Sequence, residues 1–331
     1  MSLNADGGMA ASDRLWSWAT VARLLSGFCL SIALHAALVC LPSRSDAASA
    51  DKLSVYTYED TKALVSLVED AAGLMEQKGE DAFPEFAVKG SRWFNDQYYI
   101  FVYRDDGTCV FHPVEPDLVG RNLSGMRDMN GKPVIQLITD IARKPERDAN
   151  GWVFYLWEDQ TQITPDWKSA YIRKVISPSG RVYLVGAGVY DIKIEKYFVS
   201  TQVDRAVALL QAEGKEAAFK AFQDPASPFV FLGTYIFVLD SDGHTLVDPA
   251  YPTMAGRDMA QFRDMVGAYP MREVLDKLSR GDAAWVQYLW PRPGSATPSR
   301  KSIYARKIRV GNETLIVGSD FFLATPIWMK V

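Results

Sequence analysis

The sequence predicts an α+β chain built from two tandem copies of one unit, each a long N-terminal helix followed by an antiparallel sheet of about five strands. Three observations carry this expectation. The stretch Tyr99–Met129, YIFVYRDDGTCVFHPVEPDLVGRNLSGMRDM, recurs without a gap at Tyr235–Met265 as YIFVLDSDGHTLVDPAYPTMAGRDMAQFRDM, at a constant offset of 136 (235 − 99). Two later blocks recur at an offset of 133 (288 − 155): Trp152–Trp157 against Trp285–Trp290, and Lys168–Lys174 against Lys301–Lys307. A segment of helical period precedes the first block of each copy.

Residues 1–50 are set apart from this pattern. Arg14 and Arg23 precede an apolar run, Leu24–Leu41, which Pro42 interrupts, and Ala48-Ser49-Ala50 offers a small-residue cleavage site before Asp51. This order of features predicts a signal peptide over 1–50 and a periplasmic or secreted mature chain. The alternative is an uncleaved anchor, because the run is nearly long enough to span a bilayer. Two units follow, over 52–193 and 194–331.

In the first unit, Leu64, Leu67, Val68, Ala71, Leu74 and Met75 share one face of a helix from Tyr58 to Lys78, and Gly79 stops it. A short helix carries Phe83 and Phe86. Tyr99–Val102 is aromatic and β-branched, as a half-buried strand should be, and Asp106-Gly107 supplies the turn into a second strand, Thr108–Phe111. Pro113 ends that strand, since proline cannot donate to the ladder. A glycine-rich loop leads to a helix over about Pro133–Arg143, and strands Trp152–Trp157, Lys168–Lys174 and Val182–Tyr190 complete the sheet. The second unit repeats this plan: a helix over Lys196–Glu213 stopped by Gly214, a short helix with Phe219 and Phe222, a hairpin at Asp242-Gly243, a helix over Met271–Ser279, and strands Trp285–Trp290, Lys301–Lys307 and Thr314–Phe322.

Composition narrows the function. A formal net charge of −4 with mixed signs argues against nucleic acid, which demands a basic face. After residue 50 only His112, His244 and Cys109 remain of the usual catalytic and metal-binding types, and no zinc-protease, redox, nucleophile-elbow or phosphate-loop motif occurs. The sequence therefore predicts no enzyme, no cofactor and no metal. Asp105-Asp106-Gly107 and its counterpart Asp240–Gly243 lack the closing glutamate of a calcium loop and are taken as hairpin turns. Cys109 lies in a strand as a small buried hydrophobe, with no intrachain disulfide after residue 50.

The motifs Tyr99-Ile100-Phe101-Val102, Asp106-Gly107, His112-Pro113, Gly120-Arg121-Asn122-Leu123, Asp128-Met129-Asn130-Gly131, Gly151–Trp157, Lys168–Tyr171 and Gly186–Tyr190 resemble the Cache superfamily, in the single-Cache type found in bacterial chemoreceptors and sensor kinases. The second unit resembles it more loosely, with Asp248-Pro249 for His-Pro, Val266-Gly267 for Asn-Gly and Ser319-Asp320-Phe321-Phe322 for Ala-Gly-Val-Tyr. The resemblance implies two PAS-like extracytoplasmic domains with a pocket on one sheet face, sensing small carboxylates or similar metabolites. Chain end Val331 follows the last strand, and Ile327-Trp328-Met329 is far too short to span, so the expected signalling partner is a separate membrane receptor or sensor kinase.

For the first unit the expected ligand-binding set is Tyr99, Phe101, His112, Tyr155, Trp157, Lys168 and Tyr171. Tyr99 with Phe101, and Tyr155 with Trp157, alternate along strands and so share a wall. Lys168 could neutralise a carboxylate, and His112 could donate to it and can be cationic when its pKa is raised by such an anion. Asp248, at the position of His112, would repel the same anion, so the second unit is not expected to bind it. Arg121 and Asp128, kept as Arg257 and Asp264, are expected to form a structural pair. The competing expectation is a partner-docking protein whose pockets are filled by its own side chains.

Overall fold

A computed structural model describes residues 52–158, 163–292 and 297–323, and the described chain from Leu53 onward belongs to one compact unit. The expected signal peptide lies outside the described residues. Among the described residues no helix is long and apolar enough to cross a membrane.

Helix α1, Glu59–Lys78, buries Leu64, Leu67, Val68, Ala71 and Met75 and ends where Gly79 turns to a φ of 61°. Its N-terminus is closed from far along the chain. Both carboxylate oxygens of the fully buried Glu195 accept backbone N–H bonds at 2.8 Å, from Thr57 and Tyr58, which places a negative charge on the positive end of the helix dipole. A 3₁₀ turn and the short helix α2, Phe83–Phe86, follow.

The first sheet contains β1 (Ile100–Arg104), β2 (Cys109–Phe111), β3 (Asn150–Trp157), β4 (Asp166–Ile176) and β5 (Val182–Tyr190), in the antiparallel order β2-β1-β5-β4-β3. The second contains β6 (Phe237–Asp240), β7 (Thr245–Val247), β8 (Ala283–Pro291), β9 (Pro298–Val310) and β10 (Glu313–Phe322), in the corresponding order β7-β6-β10-β9-β8. Both hairpins turn on glycines of positive φ, 86° at Gly107 and 97° at Gly243. The α+β class with two five-stranded sheets is as the sequence predicts.

Each sheet is covered on both faces. In the first, α1 packs on Ile100, Val102, Tyr171, Val175, Tyr183 and Val185. The opposite face carries Phe101, Tyr155, Ala170, Ile172 and Leu184 beneath the loop residues Leu118 and Leu123 and helix α3 (Val134–Thr139). Gly186 makes this face possible: a Cβ there would lie 2.6 Å from the Phe101 ring and 2.5 Å from Ile172 Cδ1. Gly318 does the same for Phe237, with a virtual contact of 2.2 Å.

Two helices depart from the expected bounds. Helix α4 runs unbroken in outline from Lys196 to Gln223, and Gly214 kinks it at a φ of 81° where a stop was expected. The chain re-enters the helix because Ala218 and Phe222, beyond the kink, are fully buried in the second core. Helix α3 is shorter than Pro133–Arg143 and gives way to turns ahead of Pro145, whereas its counterpart α5 spans Pro270–Arg280. Between the two sheets, Phe154 stacks on Phe231 at 4.1 Å and the buried Lys132 donates to the Val230 carbonyl at 2.7 Å.

Candidate ligand sites on the two sheets

In the first half, Lys168 leaves β4 on the loop-covered face, two residues before Ala170, which pairs with Gly188. It is 1% exposed. Its Nζ donates to the Tyr99 hydroxyl and lies over the ring of Tyr99 at 4.3 Å, with the Tyr190, Phe101 and Trp157 rings 5.6–5.9 Å away. His112 closes the same space, 4% exposed, stacked on Phe101 and edge-on to Tyr99. Its Nδ1 accepts from the Glu115 backbone N–H at 3.0 Å, which leaves the proton on Nε2 as a donor without a protein partner among the described residues.

Burial, and then the nearby Lys168 charge, hold the His112 pKa down at about 3. In the pocket as it stands the imidazole is therefore neutral. Trp157 lies beside Tyr155, and its Nε1 donates to Glu115 at 2.9 Å. Tyr99, Phe101, His112, Tyr155, Trp157 and Lys168 thus come together. The space among them is about 10 Å³, roughly room for one water.

Tyr171 is not part of this group. It sits under α1 on the other sheet face, where its hydroxyl donates to Glu69 at 2.8 Å. Side chains alternate along a strand, so a residue three after Lys168 must point the opposite way. The expected Arg121–Asp128 pair is also replaced. Arg121 is exposed, and the Asp128 carboxylate instead accepts three backbone N–H bonds, from Asn130, Lys132 and Leu156. Asp264 does the same for Val266, Ala268 and Leu289. The shared role of this aspartate is to tie the loop to the wall strand.

The second half places Tyr235, Phe237, Tyr288, Trp290 and Lys301 in the corresponding positions around a cavity of about 100 Å³. Its lysine is held differently. Lys301 Nζ is 2.8 Å from Asp320 Oδ2, which also accepts from the Tyr288 hydroxyl at 3.1 Å. Asp320 occupies the position of Gly188, an exchange to which residue order alone assigns no role. The signal was available: Gly188 and Asp320 are equivalent positions on the last strand, diagonal to the lysine in each sheet. Asp248, at the His112 position, uses Oδ1 to accept from Ala250 and Tyr251 at 3.1 and 3.0 Å. One further exchange accompanies the roomier cavity. Tyr251 stands where Glu115 does, so no carboxylate tethers Trp290, which leans on Phe262 at a ring distance of 5.0 Å.

A Cache domain family model matches residues 85–322. The methyl-accepting chemotaxis protein McpP of Pseudomonas putida is 30% identical over 149 residues, covering 43% of this chain; the match spans 26% of that protein's length. A solved structure titled as carboxylic acid recognition by a Cache chemosensory domain is 21% identical, covers 37% of this chain and 84% of its own, and has a TM-score of 0.30. The ligand-binding domain of the Pseudomonas aeruginosa amino acid chemoreceptor PctB, in complex with L-Arg, is 10% identical, with 78% of this chain and 85% of that chain covered and a TM-score of 0.25.

Proposed function

Because the chain belongs to the Cache domain family, we propose that it is an extracytoplasmic sensor module whose first half binds a small carboxylate and which reports through a membrane receptor or sensor kinase. The observation that supports the ligand class is a convergence of donors. A buried ammonium, Lys168, and a neutral imidazole with Nε2–H available, His112, line one small space walled by aromatic rings. Donors of this kind complement an anionic head, and the rings suit a short apolar tail. The incoming carboxylate takes the place of the Tyr99 hydroxyl at Lys168 Nζ, and Trp157 swings aside to admit the tail.

Calorimetric titration with a panel of small mono- and dicarboxylates tests this. One site per chain is expected. Loss of one charge-assisted hydrogen bond costs about 1.5–3 kcal/mol, so Lys168→Ala and His112→Asp should each weaken binding by at least about tenfold. Lys301→Ala should leave carboxylate binding intact. Undiminished binding in His112→Asp would overturn the assignment. The absence of any acid-dependent thermal shift in the wild type would favour the partner-docking alternative.

A further inference from the structure

We propose that the outer edge of β3 is a docking site for a short extended peptide ending in a carboxylate, which joins the first sheet as an added strand in a cavity between β3 and helix α4. The first support is the direction of the backbone groups along that edge. β3 has a strand neighbour, β4, on one side only. In an antiparallel pair the residues bonded to the partner alternate with residues whose N–H and C=O point away from it. Three contacts fix the phase of this alternation. The Ala149 C=O accepts from the Lys174 N–H at 2.8 Å, so Ala149 and every second residue after it bond toward β4. The Asn150 C=O instead accepts from Lys144 Nζ at 2.7 Å, and the Leu156 N–H donates to Asp128 at 3.0 Å. The register between Asn150 and Trp157 is unbroken, so Trp152 and Phe154 share the outward direction of Asn150 and Leu156. Each of these two residues presents an N–H and a C=O with no protein partner among the described residues.

The second support is the space these groups face. A cavity of about 330 Å³ is lined by Trp152 and Phe154, by Tyr197, Phe198 and Arg205 of α4, and by Phe229. Three extended residues span about 10 Å and match the opening that Lys144 and Asp128 leave between them. The first and third residues of such a strand lie opposite Phe154 and Trp152 and exchange both backbone bonds with each, while the second turns its own groups away. The third support is charge, which sets the end group. Lys144 and Arg205 on the lining outnumber Asp140, which is itself paired with Arg143. Arg205 makes no hydrogen bond or ion pair among the described residues, and a guanidinium grips a carboxylate through two parallel bonds. The second half leaves a narrower opening on its own edge strand. There Lys277 Nζ occupies the Trp285 C=O at 2.9 Å and Asp264 takes the Leu289 N–H, so between them Gln287 alone keeps both groups open.

This assignment does not depend on carboxylate binding by the first-half pocket, and the test separates the two. The full chain is titrated calorimetrically with the N-acetylated tripeptide Ala-Val-Ala as its free acid, with the same peptide as its C-terminal amide, and with three forms of the acid, each N-methylated at one amide. One peptide site per chain is expected. N-methylation at the first or the third residue removes a donor to the strand and should weaken binding by at least about tenfold, whereas N-methylation at the second should leave it within about threefold. The C-terminal amide should bind at least about fivefold more weakly than the acid, and Arg205→Gln should erase that difference. Arg205 is exposed, so this variant should fold as the wild type does. Lys168→Ala should leave peptide binding unchanged, which distinguishes the edge of β3 from the pocket around that lysine. Four results would each overturn the proposal: no peptide binding at millimolar concentration, equal losses at all three methylated positions, an acid-to-amide difference that survives in Arg205→Gln, or peptide binding abolished by Lys168→Ala.

Discussion

Lys168 and Lys301 stand at the same place on the fourth strand of two sheets with the same order, yet their electrostatic surroundings are opposite in character. In the first half, the diagonal neighbour on the last strand is Gly188, which has no side chain, and the group across the space is the neutral His112. In the second, the same two positions are Asp320 and Asp248. A repeated scaffold therefore delivers the same ammonium to the same point, and two exchanges on neighbouring elements change the charge that surrounds it. The tether of Trp157 to Glu115 has no counterpart at Trp290 among the described residues, and the space there is the larger.

The largest expected effect is on the stability of the second half. Lys301 and Asp320 are both at least nine-tenths buried and 2.8 Å apart. Removing one member of a buried pair strands the other, so Asp320→Ala should cost about 3–5 kcal/mol in chemical denaturation. A change well under about 1 kcal/mol would show that the pair is not what distinguishes the halves.

The glycines beneath the two phenylalanines test whether the scaffold is equivalent. Gly186→Ala and Gly318→Ala each drive a methyl group into a ring, at 2.6 and 2.2 Å. Each is expected to cost about 3 kcal/mol, the upper range for overpacking. A loss confined to one of them would break the equivalence.

The counterpart positions His112 and Asp248 should impose opposite pH slopes on stability. The folded His112 pKa, about 3, lies below the unfolded value of 6.5. The unfolded state binds the extra proton in that window, so stability is lost as pH falls from 6.5 toward 3, by about 2 kcal/mol on reaching pH 5. Asp248 is raised in the folded state, so its contribution moves the other way, with stability gained on acidification through its range. Denaturation of His112→Asn and Asp248→Asn at neutral and acidic pH resolves them: the first variant should flatten the acid loss and the second should steepen it. Identical pH profiles for wild type and His112→Asn would mean that the imidazole does not stay neutral.

The smallest expected effect is a transplant. Gly188→Asp sets a carboxylate beside Lys168, as Asp320 is set beside Lys301. The new Cβ would meet Lys168 Cε at 2.9 Å, an end of a flexible chain that can shift. Carboxylate affinity should fall by about tenfold, near 1.4 kcal/mol, with the fold retained. Unchanged affinity would detach ligand selectivity from this position.

Much of this was legible from residue order alone. Aromatic and β-branched runs, Asp-Gly turns and the constant offsets of 136 (235 − 99) and 133 (288 − 155) determine strands, hairpins and the doubling of the unit, because each depends on local backbone preference and on period. The grouping of Tyr99, Phe101, Tyr155 and Trp157 follows from alternation on a strand, and the same rule, applied to the odd spacing between Lys168 and Tyr171, separates those two. What only the tertiary structure decided is non-local. That Asp320 reaches Lys301 depends on the pairing of Ile303 with Asp320 across two strands; that His112 is neutral depends on its burial; that one space is about 10 Å³ and the other about 100 Å³ depends on how the side chains around each lysine pack. Charge and volume in a pocket are properties of side chains that meet from distant parts of the chain, and local preference carries no record of which of them will meet.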